Sequence, residues 1–196
     1  TQWLSSRYES LKAKLLLERA RGDGLLISDA EHIKKLDLVD WPAKERDGYV
    51  FTPVNTVVNA FHLRALQLMS ELAIAARKPD DAKSYQQQYR KTLAAFQEKL
   101  IDPRTGLFKD GESTKHSSLH ANLFPLAFGL VPEKNRARVV AFIKQRGMRC
   151  SVYAAQYLME GLFANDAGPR ALELITAPTD RSWRHMLESG TTITWE

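Results

Sequence analysis

Residues 52–100 read TPVNTVVNAFHLRALQLMSELAIAARKPDDAKSYQQQYRKTLAAFQEKL, and two helical patterns follow one another in this segment. Apolar residues recur at intervals of three and four in both halves, as they do on the buried face of an α-helix. Pro79 separates the halves, because proline interrupts a helix and is accepted only in its first turn. The segment therefore predicts an αα-hairpin with antiparallel helices.

The first helix of this hairpin has an unusually broad apolar face. Its predicted start is Thr52 as the N-cap with Pro53 in the first helical position. The apolar residues of this face are Val54, Val57, Val58, Phe61, Ala65, Leu68, Leu72 and Ala76. A stripe of this width indicates a helix that packs on more than one side. Beside it, Asn55, Asn59 and His62 form a polar row, for which we favour core hydrogen bonds over a cavity lining.

The same periodicity recurs along the chain and predicts an all-α protein. Further helices are predicted at residues 1–21, 118–129, 133–146, 152–164, 169–175 and 180–187, and the second helix of the first hairpin at 80–100. Short connections between them indicate stacked antiparallel αα-hairpins. No repeat of fixed period occurs, so a bundle or a closed toroid of hairpins is favoured over a solenoid. Residues 24–51 form a long irregular loop, a type of segment that often carries function.

Composition argues against several classes of protein. The net charge of +5 is concentrated around residues 134–149, but an apolar stripe on the same helix indicates a solvated helix face, and we expect no nucleic-acid partner. No apolar run is long enough to cross a bilayer. Cys150 is a lone cysteine, and His62 and His116 have no partner at metal-ligand spacing, so we expect no disulfide, metal or cofactor. The compartment stays open.

The C-terminal string Gly190-Thr191-Thr192-Ile193-Thr194-Trp195-Glu196 resembles the motif that closes the catalytic helical domain of bacterial α-L-rhamnosidases, glycoside hydrolase family 78. Other segments resemble the family in the same order along the chain. These are Asp40-Trp41, Ser118-Leu119-His120-Ala121, Gly129-Leu130-Val131-Pro132, Tyr153-Ala154-Ala155-Gln156 and Ser182-Trp183. The resemblance covers nearly the whole chain and implies the C-terminal half of an (α/α)6 toroid, with residues 1–196 as one partial catalytic domain that is incomplete at both ends.

The resemblance also implies roles for individual residues. Glu196 is the expected general base of an inverting hydrolysis, and Trp195 the residue that fixes the backbone presenting it. Trp41 either packs in the core or stacks on a sugar ring while Asp40 accepts a hydroxyl hydrogen bond. His120 lies on an apolar helix, where it is either a core histidine or a substrate contact. The acid-bearing segment of the family does not occur in these residues.

The expected activity is thus hydrolysis of terminal α-L-rhamnosides by the whole enzyme, with these residues alone inactive. The expected partners are a rhamnose-containing carbohydrate and the remainder of the catalytic domain, and the broad apolar stripe predicts self-association of the isolated chain. The alternatives are another carbohydrate-active enzyme on the same toroid and a helical binding or scaffolding domain without chemistry. Segments outside residues 1–196 would discriminate these alternatives.

Overall fold

A computed structural model describes residues 2–192, and this part of the chain is all-α, as the sequence predicts. The helices are α1 (Gln2–Lys12), α2 (Thr56–Ala75), α3 (Pro79–Leu100), α4 (Leu119–Ala127), α5 (Glu133–Arg146), α6 (Val152–Phe163), α7 (Gly168–Thr176) and α8 (Trp183–Glu188). Extended pairing within the described residues is limited to isolated antiparallel bridges, such as the one between Ile101 and Phe108. None of these helices is both long and apolar enough to cross a membrane.

The helices form two layers of stacked hairpins. Helices α2 and α3, α4 and α5, and α6 and α7 pack as consecutive pairs. Helix α4 also packs against both α2 and α6, so these three form an inner layer, and α3, α5 and α7 cover it as an outer layer. This arrangement confirms the predicted stack of αα-hairpins.

The two layers start their helices by different means. Each inner helix has an N-cap side chain that accepts a backbone N–H from its first turn, and the caps are Asn55, Ser118 and Ser151. The outer helices have no such cap and place a proline at or near their start, namely Pro79, Pro132 and Pro169. The first N–H groups of a helix lack partners within it. A capping side chain supplies a partner for one of them, and a proline has no N–H that needs one.

Two inner helices repeat one asparagine contact. Asn59 of α2 accepts the N–H of Leu26 at 2.7 Å and donates to the carbonyl of the same residue at 3.2 Å. Asn122 of α4 holds both backbone groups of Phe108 in the same way, at 3.0 Å each. Each asparagine also donates to the carbonyl of its own N-cap residue at 2.9 Å. The predicted core hydrogen bonding is therefore found for Asn55 and Asn59 of the polar row, whereas His62, its third member, lines a cavity beside α2. Asn59 and Asn122 each pin a connecting segment to their helix.

Within residues 2–192 the buried apolar side chains form two clusters. The main one fills the space between the layers, and its largest fully buried members include Phe96, Phe108 and Phe124. A second cluster joins α1 to the far half of the first hairpin through Tyr8, Leu15, Leu66, Met69 and Tyr85. Helix α1 is thus attached to the hairpin stack by its own buried contacts.

The first helix is shorter than the prediction of residues 1–21. Helix α1 ends at Lys12, and Leu16 adopts a left-handed backbone conformation with φ of +54°. This break buries Leu15 in the second cluster and brings Arg19 within 2.6 Å of the hydroxyl of Ser28. Tertiary contacts of these two side chains thus override the helical periodicity of the segment.

The start of α2 also differs from the prediction, because Asn55 rather than Thr52 is the N-cap. The side chain of Asn55 accepts the N–H of Val58 at 2.9 Å, while the hydroxyl of Thr52 donates to the carbonyl of Val54. The carbonyl of Pro53 accepts the N–H of Ser28 from the connecting segment. The polar groups of residues 52–54 therefore form hydrogen bonds within the loop region and do not cap the helix.

We expect Asn122→Ala to destabilise the fold strongly. It leaves the buried N–H and C=O of Phe108 without partners, at about 1–3 kcal/mol for each group. The measurement is the free energy of unfolding from denaturant titration. Asn135→Ala is the matched control, since Asn135 is also buried but its side chain makes one hydrogen bond, to the carbonyl of Gly106. Equal losses for the two variants would contradict the bidentate role of Asn122.

We expect residues 1–196 on their own to self-associate. Leu68 of α2 is 40% exposed beside the partly buried Phe61, Phe128 and Tyr157, and these residues form the apolar part of an open groove on the inner layer, which Arg64 and Glu160 also line. Leu68→Glu should therefore lower the mass seen by light scattering, because a charge cannot be buried there without cost. Leu172→Glu, at a leucine of α7 that is 57% exposed, is the control and should leave it unchanged. A monomeric wild-type chain would contradict the prediction.

Candidate functional site

The long loop lies across the N-terminal ends of the inner helices, and buried carboxylates hold it there. Asp47 accepts the N–H of Leu119 at the start of α4 at 2.8 Å, and Asp40 accepts the N–H of Ser151 at the start of α6 at 2.9 Å. The beginning of a helix carries partial positive charge, so a carboxylate is stabilised in this position. One end of the inner layer is thereby assembled from residues far apart in sequence.

Asp40 is the most heavily hydrogen-bonded of these carboxylates. Its oxygens accept the backbone N–H of Trp41 at 2.9 Å, the backbone N–H and the hydroxyl of Ser151, and Nε2 of His120 at 2.7 Å. Burial would raise the pKa of Asp40, but the hydrogen bonds from His120 and Ser151 outweigh it and lower the pKa. The group is therefore held as an anion inside the protein.

Trp41 follows Asp40 in the chain and lies at the surface of this end. Its indole is 38% exposed and packs on the ring of Tyr153, with ring centroids 5.0 Å apart and planes at 35°. Tyr153 in turn contacts Tyr157 edge to face at 5.6 Å. One side of the indole is thus fixed by an aromatic neighbour and a substantial part of the ring stays accessible. We call Trp41 and Tyr153 together the aromatic shelf.

A cavity of about 400 Å³ lies next to the shelf, and Tyr153 forms part of its wall. Phe61 and Leu38 contribute apolar surface, and His62 contributes a polar group. Burial lowers the pKa of His62 to about 4, so its imidazole is neutral near pH 7. Such a cavity, mostly apolar with few polar groups, is typical of a site for a small ligand.

The polar edge of the same cavity is an ion pair. Arg19 lies 3.4 Å from Asp37, and both side chains are largely buried. Asp37 also accepts a hydrogen bond from Asn55 at 3.1 Å, while Arg19 donates to Ser28. These contacts orient both groups, and Arg19, the more accessible of the two, offers a fixed guanidinium to a polar ligand.

The structure brings together three of the residues selected from the sequence. Asp40 and Trp41 are adjacent in the loop, and His120 reaches them from α4. His120 is fully buried, and its Nδ1 has no hydrogen-bond partner among the described residues. Trp41 is the member of the group with an accessible ring, and direct contact of Asp40 or His120 with a sugar stays a prediction.

Two residues of this cluster were given no site role from the sequence: Ser151 was not singled out, and Tyr153 was named only as part of a segment that resembles the family. The available signal was the pair itself, because a serine before an apolar helical run is a good N-cap, and an aromatic residue two positions later lies in the first turn. Nothing in the sequence could have indicated the partner of Ser151, since Asp40 lies 111 positions earlier in the chain.

Glu196 and Trp195 lie outside the described residues, whereas α8, which precedes them in the chain, is described. Arg181 precedes α8, donates to the carbonyl of Met148 at 2.6 Å and pairs with Glu45 of the long loop. The chain therefore enters α8 at the same end of the molecule as the shelf. Groups of three metal-binding side chains do not occur within residues 2–192.

The described helices form hairpins stacked in two layers, with a cavity at one end of the inner layer, which is the architecture of a six-hairpin glycosidase domain. The model of the bacterial α-L-rhamnosidase 6 hairpin glycosidase domain matches residues 1–196, and the chain belongs to this family. The resemblance noted from the sequence is thereby confirmed. Curated proteins gave no match.

Solved structures with a similar fold include several rhamnosidases. The glycoside hydrolase family 78 rhamnosidase of Bacillus sp. GL1 has a TM-score of 0.81 and 18% identity, covering 100% of this chain and 20% of that one. The α-L-rhamnosidase of Dictyoglumus thermophilum has a TM-score of 0.77 and 20% identity, covering 98% and 22%. The α-L-rhamnosidase of Streptomyces avermitilis, solved with L-rhamnose, has a TM-score of 0.69 and 23% identity. This match covers 100% of this chain and 18% of that one. The chain thus spans less than a quarter of the length of each.

We expect Trp41→Ala to lower kcat/KM of the full-length enzyme for a rhamnoside by more than Trp41→Phe does. Stacking on a sugar needs a flat ring, and by analogy with base–aromatic stacking it contributes roughly 1–3 kcal/mol. Trp183→Phe is the control for a tryptophan packed against the main core. If both Trp41 variants lose stability but turn over substrate like the wild type, Trp41 is a core residue.

Proposed function

We propose that this chain is part of an α-L-rhamnosidase that hydrolyses terminal α-L-rhamnosides with inversion of configuration. The observation that carries the proposal is the match of the family over residues 1–196. The aromatic shelf beside a cavity of about 400 Å³ supports it, because sugars bind through apolar ring faces together with oriented polar groups. Similar enzymes include one solved with L-rhamnose bound.

In the proposed reaction a water attacks the anomeric carbon and the bond to the leaving oxygen breaks. Glu196 accepts the proton of the attacking water, and an acid outside this chain protonates the leaving oxygen. The water must fit between the base and the anomeric carbon, so the two carboxyl groups of an inverting enzyme lie about 6.5–9.5 Å apart. The proposal uses no metal and no cofactor.

Trp41 is the proposed platform for the sugar ring, and Trp195 the residue that fixes the backbone of Glu196. The ion pair of Arg181 with Glu45 places the start of α8 at the end of the molecule that carries the shelf, which supports a role of the segment after α8 in the site. The remainder of the catalytic domain is the proposed cover for the open groove of the inner layer. A rhamnose-containing carbohydrate is the proposed substrate.

We expect Glu196→Gln in the full-length enzyme to lower turnover of a rhamnoside by several orders of magnitude with little change in substrate affinity. The amide keeps the shape of the side chain but cannot accept the proton. The measurement is kcat and KM with a chromogenic rhamnoside, together with thermal unfolding to establish that the fold is kept.

Glu188→Gln is the matched control, since Glu188 is exposed at the end of α8 and pairs with Arg184. It should leave turnover unchanged. Retention of more than about a tenth of wild-type turnover by Glu196→Gln, which is less than roughly 1.4 kcal/mol of barrier, would rule out the general base. Proton NMR of the first product anomer tests inversion separately, and retained configuration would contradict it.

A further inference from the structure

One buried carboxylate connects the two rings of the aromatic shelf. Asp40 accepts the backbone N–H of Trp41, which follows it in the loop, at 2.9 Å. The same carboxylate accepts the backbone N–H of Ser151, two residues before Tyr153, at 2.9 Å. The positions of both rings therefore depend on hydrogen bonds to a single group.

Ser151 strengthens this connection with its side chain. Its hydroxyl donates to Asp40 and accepts the N–H of Tyr153 at 3.1 Å. Nε2 of His120 approaches the carboxylate from α4 at 2.7 Å and completes its set of donors. The carboxylate thus ties the loop, α4 and α6 together directly beneath the shelf.

The geometry argues against direct sugar binding by these groups. Asp40 and His120 are fully buried, and Ser151 is nearly so. Both oxygens of Asp40 are already occupied by donors from the protein. Asp40, His120 and Ser151 would therefore affect a ligand on the accessible face of Trp41 only by setting the position of the indole.

We infer that Asp40, His120 and Ser151 are a positioning unit that sets the angle between Trp41 and Tyr153 and thereby the orientation of the bound sugar. The inference rests on the proposed function, in which Trp41 contacts the substrate. Correct orientation of a reactant is a large part of catalysis, and a displacement of about 1 Å can lower the rate by about 100-fold. We call these three residues the Asp40 unit.

The first test measures the position of Trp41 without any reaction. The full-length enzyme is labelled with 5-fluorotryptophan, and the ¹⁹F NMR signal of Trp41 is assigned by its loss in Trp41→Phe. We expect Asp40→Asn to shift or broaden this signal. Ser151→Ala, which removes one hydroxyl and is the milder change, should act in the same direction, and Ser151→Thr, which keeps the hydroxyl, should restore it.

Asp110→Asn is the matched control. Asp110 is also fully buried, accepts the N–H groups of Ser118 and Val50 at 2.8 Å, and contacts Nδ1 of His116 at 2.6 Å. It has no contact with either ring of the shelf among its hydrogen bonds. Its substitution should leave the Trp41 signal in place. An unshifted Trp41 signal in both Asp40→Asn and Ser151→Ala would overturn the inference.

The second test is a double-mutant cycle on kcat/KM for a rhamnoside. We expect Asp40→Asn to lower kcat/KM by about 10- to 100-fold in the wild type and by less than about threefold in Trp41→Ala, because its effect passes through the indole. The loss from Asp110→Asn should be equal in both backgrounds. Fully additive losses of Asp40→Asn and Trp41→Ala would overturn the inference.

The two tests separate this inference from the proposed function. If Trp41→Ala turns over the rhamnoside like the wild type, the proposed role of Trp41 fails, and the fluorine signal alone then decides whether the Asp40 unit positions the ring. If the fluorine signal is unmoved while Trp41→Ala is inactive, the proposed function stands and the positioning role is wrong. Thermal unfolding of each variant accompanies both measurements.

Discussion

The structure depends on buried carboxylates placed at the beginnings of the inner helices. Asp40, Asp47 and Asp110 each accept a backbone N–H at such a position, where the helix dipole favours a negative charge. Because a loop of this length cannot hold its shape through local bonds alone, the contacts of Asp40 and Asp47 fix the part of it that carries Trp41, while Asp110 holds its far end at Val50. Without them the inner helices would still pack, but the cavity end would have no fixed wall.

The hairpins repeat their internal contacts although their sequences do not repeat. In α2 and α4 an N-cap residue is followed four positions later by an asparagine that holds a connecting segment through both of its backbone groups. Helix α6 has the serine cap but Ala155 at the corresponding position. There Asp40 supplies the contact from the loop, so the hairpin that departs from the pattern is also the one that carries the shelf residue Tyr153.

Much of this fold could be predicted because its helices follow the apolar periodicity closely. Helix α5 has the predicted bounds, and the start of α3 differs by one residue. The errors fall where tertiary contacts decide: Leu16 breaks the first helix, and Asn55 displaces Thr52 as a cap. For the site, resemblance indicated Asp40, Trp41 and His120, but the buried state of two of them depends on partners 80 and 111 positions away, which no local pattern can supply.

The long separation of the partners of Asp40 has a consequence for how the molecule acquires and keeps its shape. Contacts between residues 80 and 111 positions apart close large loops, so we expect them to form after the neighbouring helices have paired. On this basis we expect the cavity end to be among the last parts to become ordered during folding. Conversely, a transient opening that detaches α6 also breaks the contacts of Asp40 with Ser151, so the order of the aromatic shelf depends on the cohesion of the hairpin stack.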